Sequence, residues 1–428
     1  MRPRFSTLVA TGLALTMAVL LVAAMLLGRS TESGNRTVVT VRLWDEQVAD
    51  AYRESFDAFS RDNPDLEVRV NVVAYSTYFD TLRTDVAGGS ADDIFWLSNA
   101  YFAGYADSSR LMNIDATLGP DAVRGWEPSV VNQFTRGGAL WAVPQLTDAG
   151  IAVYYNADLL DAAGVQRAEL MTLRWDPDPR RDTLRPILQR LTRTRQWGYN
   201  AANDLQGIYL NYIGSAGGVF SVGDRFVFDN PQSVQAFEYL VGLINTDRVS
   251  PPASATNDNG DFARNQFLAG RMALFQSGTY NLAAVAEQAR FRWGVAMLPE
   301  GPKGRISVTN GIAAAGNSAT SHPEAVRRVL AWMGSRRGNE YLGARGAAIP
   351  AVLAAQEVYF DFWAGRGVDV TPFFSVLNGP RIAAPGGAGF AAGYQALKPY
   401  FDEMFLGRRD VADTLAEAQD AANAAAAR

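Results

Sequence analysis

The chain has no cysteine and a single histidine among its 428 residues. The first absence removes disulfides, thiolate nucleophiles and cysteine metal sites together. The second starves transition-metal and Ser-His-Asp chemistry of their usual ligand and base. His322 stands in Thr320-Ser321-His322-Pro323-Glu324, which predicts a helix start with Pro323 in the first turn and a structural role for the histidine. No Gly-x-Ser-x-Gly elbow accompanies it. An excess of basic charge is also missing: 39 Lys and Arg face 44 Asp and Glu, a net charge of -5. That balance offers nucleic acid no electrostatic footprint. The one basic stretch, Arg167 to Arg195, is interrupted by Asp176, Asp178 and Asp182 and reads as a solvated helix face.

What is present is enough to fold. A chain of this length that is 48% hydrophobic and 19% charged predicts two or three domains with large cores. Arg2 and Arg4 precede an uncharged run from Phe5 to Gly28, close to the roughly 20 residues that span a bilayer. Residues 1–28 are therefore expected to be a signal peptide or an N-terminal membrane anchor, with 29–36 a polar linker. Val22-Ala23-Ala24-Met25 has the shape of a lipoprotein processing site, but Met25 occupies the place of the lipid-bearing cysteine, so lipidation there is excluded. The basic N-terminal flank places everything after Ser30 outside the cytoplasm, either secreted or membrane-anchored.

Beyond the linker, Val38 to Leu43 and Leu66 to Val73 read as strands separated by a helix through Tyr52, Phe56 and Phe59. Tyr78 to Val86 reads as a helix, Gly88-Gly89 breaks it, and Ile94 to Leu97 is a short buried strand. This alternation argues for an α/β lobe with a largely parallel sheet. After Tyr155 helices dominate, at Leu184–Arg193, Gln206–Gly214, Val234–Asn245 and Phe262–Ala269. Strands are expected at Met272–Gln276, Phe291–Met297 and Val308–Ala315, then a helix from Pro323 to Trp332 and an alanine-rich helix from Asp410. Asn257-Asp258-Asn259-Gly260-Asp261 invites a calcium reading, but an EF-hand needs glycine at position six and glutamate at twelve. Those places hold Phe262 and Leu268, so a helix-capping turn is the better reading.

Three blocks carry a resemblance. Pro144 to Val165 runs PQLTDAGIAVYYNADLLDAAGV, Ala91 to Ile114 contains Asp93-Ile94-Phe95-Trp96, and Met272 to Tyr280 reads MALFQSGTY. In their order along the chain, 91–114, 144–165 and 272–280, they resemble the bacterial extracellular solute-binding proteins, family 1, the sugar-capturing subunits of ABC importers. Taken alone, Ile151 to Tyr155 is a buried strand and Asp158 a helix-starting residue. The resemblance implies an α/β, two-lobed periplasmic-binding-protein-like fold with a ligand cleft between discontinuous lobes: 37–147 with 308–356, and 148–307 with 357–428. It further implies a sugar ligand, ABC permease subunits as partners, no cofactor and no bond made or broken, with hinge closure as the mechanism.

A sugar presents an apolar C-H face and a rim of hydroxyls, so its site needs aromatic plates with carboxylates and amides. The resemblance carries ligand-binding roles onto Trp96, Asn99 and Tyr280, the last standing where the family more often has tryptophan. Asp148 and Glu46 are the acidic candidates from opposite lobes, and Asp204 adds a polar group whose alternative role is capping a helix. Arg381, within the loop Pro380 to Gly387, and Phe390, after it, complete the set, a surface turn being the alternative. Two rival readings stay open: a secreted glycoside hydrolase, which would need a carboxylate pair, and a binding protein for a non-sugar solute. Iron held by Tyr154 and Tyr155 conflicts with strand alternation, which points adjacent residues to opposite faces.

Overall fold

The computed structural model describes residues 36–376 and 379–427. The expected signal or anchor at 1–28 and the linker, apart from Arg36, lie outside the described residues. Among those described, no helix is long and apolar enough to cross a membrane.

The first lobe is built on a five-stranded sheet. Its order is Leu66–Val72, Thr37–Leu43, Ile94–Ser98, Gly311–Gly316 and Val143–Thr147. The first three run parallel, with Thr37 opposite Leu66 and Leu43 opposite Val72, while Gly311–Gly316 is antiparallel to both its neighbours. Alternation in TVVTVRL sends Val39, Val41 and Leu43 inward, where none is exposed. The helix Glu46–Asp62 starts because the Asp45 carboxylate accepts from the backbone N–H groups of Gln47 and Val48. It then lays Val48, Tyr52, Phe56 and Phe59 on the sheet. The resulting core draws its residues from 39–146 and 312–355.

The second lobe is mainly helical. A three-stranded antiparallel sheet, Leu274–Ser277, Ala152–Asn156 and Trp293–Met297, forms one wall. Tyr154 and Tyr155 do face opposite ways: Tyr154 is wholly buried, whereas Tyr155 lies over Gly294, where a Cβ would come within 2.4 Å of its hydroxyl. The helix after this strand is capped by Asn156, whose side chain accepts from Asp158 and Leu159 N–H, so Asp158 belongs to the first turn rather than the cap. The main core of this lobe combines residues 151–308 with 376–422, the C-terminal helices Phe390–Phe405 and Val411–Ala426 closing it.

Two sequence expectations change here. The basic stretch is not one helix face: short helices Arg167–Met171 and Leu184–Leu191 flank a turn in which the wholly buried Asp176 carboxylate takes Arg174 (3.2 Å) and Arg181 (3.0 Å). The expected strand Val308 to Ala315 is broken at Asn310. Ser307–Thr309 pairs in parallel with Arg381–Ala383, whereas Gly311–Gly316 belongs to the large sheet. The break is where the chain passes between lobes. The other crossing runs beside it, the Asp148 N–H donating to the Asn310 carbonyl at 2.8 Å.

Candidate functional site

The crossing places Asp148 at the junction of the lobes. Its carboxylate accepts from Gln206 Nε2 at 2.7 Å, and burial pushes its pKa up to about 7 against the opposing pull of that hydrogen bond. Gln206 belongs to a π-helical turn, Leu205–Tyr209, which continues as the α-helix Leu210–Ala216. The sequence suggested one regular helix. Asp204 caps the turn, accepting from Gly207 N–H at 2.9 Å, while its own carbonyl accepts from Tyr209 N–H, a bond of π spacing.

Buried polar groups hold this turn in place. Gln276 Nε2 donates to the Gly207 carbonyl at 2.7 Å, and its oxygen accepts from the Tyr199 hydroxyl, which in turn accepts from the Tyr212 hydroxyl at 3.0 Å. Asn211 Nδ2 ties the Gln206 carbonyl at 2.8 Å. Supported in this way, the Asp204 side chain stays open to solvent, yet desolvation by the surrounding walls holds its pKa above the usual carboxylate value.

Tyr280 stands beside the two carboxylates. Its ring folds over Gly278, where a Cβ would lie 2.3 Å from the ring, so this position has to be glycine for the ring to adopt that pose. The strand before it is fastened by the Tyr154 hydroxyl donating to the Gly278 carbonyl at 2.8 Å. Although 44% of Tyr280 is exposed, crowding and the negative fields of Asp204 and Asp148 raise its phenol pKa. From the first lobe, Tyr75 opens the helix Tyr75–Gly88 and is 59% exposed. Its phenol is raised by desolvation first and then by Tyr101, Tyr394, Asp204 and Asp148. Surfaces that are exposed and yet desolvated are what the two walls of a cleft create. Tyr394, pushed up to about 12 chiefly by desolvation, senses Asp204 and Tyr101 as well.

A family profile described as bacterial extracellular solute-binding protein matches residues 45–340. The chain belongs to that family. It is 71% identical to M. tuberculosis UspC, whose crystal structure it covers completely over 91% of its own length, with a TM-score of 0.74. A Listeria monocytogenes ABC substrate-binding protein in complex with cycloalternan shares the fold at 18% identity and a TM-score of 0.81, over 91% of this chain and 98% of that one. A probable ABC transporter-binding protein of Deinococcus radiodurans is 30% identical over 210 residues, 47% of this chain and 48% of that protein.

Of the candidate residues read from the sequence, Asp148 and Asp204 both act on Tyr280 through their fields. The others lie apart from this group. Trp96 is 1% exposed, enclosed by Trp44 and Tyr52 with ring centroids at 5.0 and 5.9 Å, so it is a core residue of the first lobe. Glu46 is drawn to the exposed side of its helix by Arg53 at 2.9 Å. Asn99 and Arg381 line a different space of about 420 Å³ beside the hinge, with Asn132, Gln133 and Thr309. There Asn99 Nδ2 donates to the Ala384 carbonyl at 3.2 Å, a contact between crossing segment and first lobe. Phe390 is buried against Phe226 and Tyr394, with its edge toward Tyr101.

Sequence reasoning missed Tyr75, Tyr101, Tyr394 and Gln206. Tyr75 had a signal available, since it stands between the strand Leu66–Val72 and the body of the helix that it opens. The aromatic rings Trp44, Tyr75, Tyr78, Phe79 and Trp96 form one cluster, with Trp44 touching the other four. Tyr75 is the member that reaches the surface.

Proposed function

We propose that this solute-binding protein captures a sugar between its lobes and delivers it to the permease of an ABC importer outside the cytoplasm. The observation that carries the reading is that two exposed rings, Tyr75 from the first lobe and Tyr280 from the second, both lie within the fields of Asp148 and Asp204. Rings offer faces to the C-H side of a pyranose, and carboxylates accept from its hydroxyls. Because Tyr75 comes from the first lobe and the carboxylates from the crossing and the second, ligand contacts are complete only when the lobes approach. That differential contact is what makes a ligand favour closure.

This chain and UspC share 71% of their residues and a TM-score of 0.74, which supports a common two-lobed architecture. Binding without chemistry is the accompanying proposal. The hydrolase alternative would need a carboxylate pair, and Asp148, with its raised pKa, is the acid that would suit a proton donor. Calorimetric titration with a panel of mono- and oligosaccharides, run beside nitrophenyl glycosides, separates the two. Saturable sugar binding with no nitrophenol released supports capture. Sustained nitrophenol release, lost in Asp148→Asn, would replace capture with hydrolysis.

A further inference from the structure

A second space has Tyr75 in its lining. It measures about 720 Å³ and lies between the helix Tyr75–Gly88, the helix Asn99–Asp107 and the start of the helix Phe390–Phe405. Tyr75 and Tyr101 stand on its boundary, because both line this groove and both interact with the Tyr394 and Asp204 side of the cleft, Tyr75 with Asp204 itself and Tyr101 through Tyr394. The floor is close-packed backbone and small side chains: a Cβ on Gly104 would meet the Ala388 carbonyl at 4.0 Å. Phe79 stacks on Tyr101 with centroids 3.7 Å apart, forming an aromatic wall, and Val86, Ala100 and Ala391 extend the apolar surface.

Hydrogen-bond acceptors in the groove are few. The Ser108 hydroxyl donates to the Gly104 carbonyl at 2.7 Å, and Asp80, the single carboxylate of the lining, stands on the exposed side, 3.1 Å from Arg83. Gln395 and the tyrosine hydroxyls are the other acceptors, and the guanidinium groups of Arg83 and Arg110 add donors only. A pyranose placed here would leave several hydroxyls without acceptors, which is costly, whereas a hydrocarbon would gain from burial. We propose that the groove receives the apolar aglycone of a glycoside whose sugar sits in the cleft, so that the ligand is a glycoconjugate with an alkyl or aryl group rather than a bare sugar. This inference rests on the sugar reading above. It adds that both lobes grip both halves of the ligand, since the groove has walls from helices of each.

The test uses matched pairs, the methyl and hexyl glycosides of glucose, galactose and mannose, titrated calorimetrically into the wild type, Ala392→Trp and Ala87→Trp. Both substituted residues are exposed and line the groove, one from each lobe, so the tryptophans fill it without disturbing a core. The expected result is a hexyl glycoside bound at least about tenfold more tightly than its methyl partner, with that gain lost in both variants and the methyl affinity kept. Equal affinity for the two members of a pair, or a gain that survives both variants, overturns the inference. So does a gain produced by lengthening the sugar chain and blocked by the same variants, which would make the groove a sugar subsite. Fluorescence of 1-anilinonaphthalene-8-sulfonate, displaced by hexanol in the wild type and weaker in the variants, reads the groove with no sugar present. Its absence overturns the groove proposal even where sugars bind; its presence with no sugar binding sinks only the capture reading and, with it, the glycoside as ligand.

Discussion

Replacing Asp148 by Asn should make the protein more stable at neutral pH while weakening its hold on ligand. Burial lifts this carboxyl from 3.8 to about 7, so folding favours its protonated form. An acid with a raised folded pKa contributes no penalty below its unfolded value; the penalty grows as pH rises between about 4 and 7 and is complete above that. The displacement of about three pH units, at about 1.4 kcal/mol each, sets an upper limit on the order of 4 kcal/mol. Because the side chain is only half-buried, part of its hydration remains and a smaller value, about 1 to 3 kcal/mol, is expected. Asparagine retains an oxygen to accept the Gln206 N–H and keeps the shape, so the comparison isolates the charge. Urea unfolding of both proteins at pH 4.5, 6 and 8 should give coincident midpoints at the lowest pH and a variant that is increasingly the more stable above it. Ligand affinity of the wild type should rise with pH through about 7, since hydroxyl donors favour the ionised form, while that of the variant stays flat. Parallel stability curves across the whole range would refute the assignment of a strained, desolvated charge at this position.

Tyr280→Ala and Tyr75→Ala should each weaken binding of a verified sugar by about 1 kcal/mol or more with folding retained, because each removes one exposed ring from the cleft; unchanged affinity in calorimetry would remove that residue from the site. Gly278→Ala should mimic the loss of Tyr280, since the new methyl occupies the space under the ring, and a ligand-bound affinity equal to wild type would show that the ring's pose is unimportant. Asp176→Ala should cost about 1 to 2 kcal/mol of stability by removing the buried acceptor of the Asp178 N–H, Arg174 and Arg181, the two guanidinium groups staying partly solvated beside Glu300 and Asp178, and a denaturation midpoint unchanged from wild type would show that this acceptor is not needed for folding.

The local signals that survive into the structure share a physical origin. Alternation in Thr37–Leu43, the cap and apolar spacing of Glu46–Asp62, and the Gly278-x-Tyr280 turn are each decided by neighbours a few residues away. The same holds for the opposite facing of Tyr154 and Tyr155. These features, with the family resemblance they carried, were enough to place Asp148, Asp204 and Tyr280 among the candidates. Tertiary structure decided which aromatic residue became a wall of the cleft. Tyr75 stands just past the end of one strand of the sheet, whereas Trp96 lies within another and is covered by Trp44 and by Tyr52 from a helix more than forty residues earlier in the chain, so it belongs to the core. The break at Asn310 was equally hidden, because SVTNGIAAAG is apolar throughout and only its partners differ: Arg381–Ala383 on one side, the large sheet on the other. Raised pKa values arise the same way. Asp148 looks like any loop acid until the π turn at Leu205–Tyr209 and the second crossing close around it. Desolvation is a property of what surrounds a group, and here the surroundings come from segments that meet only in the folded chain.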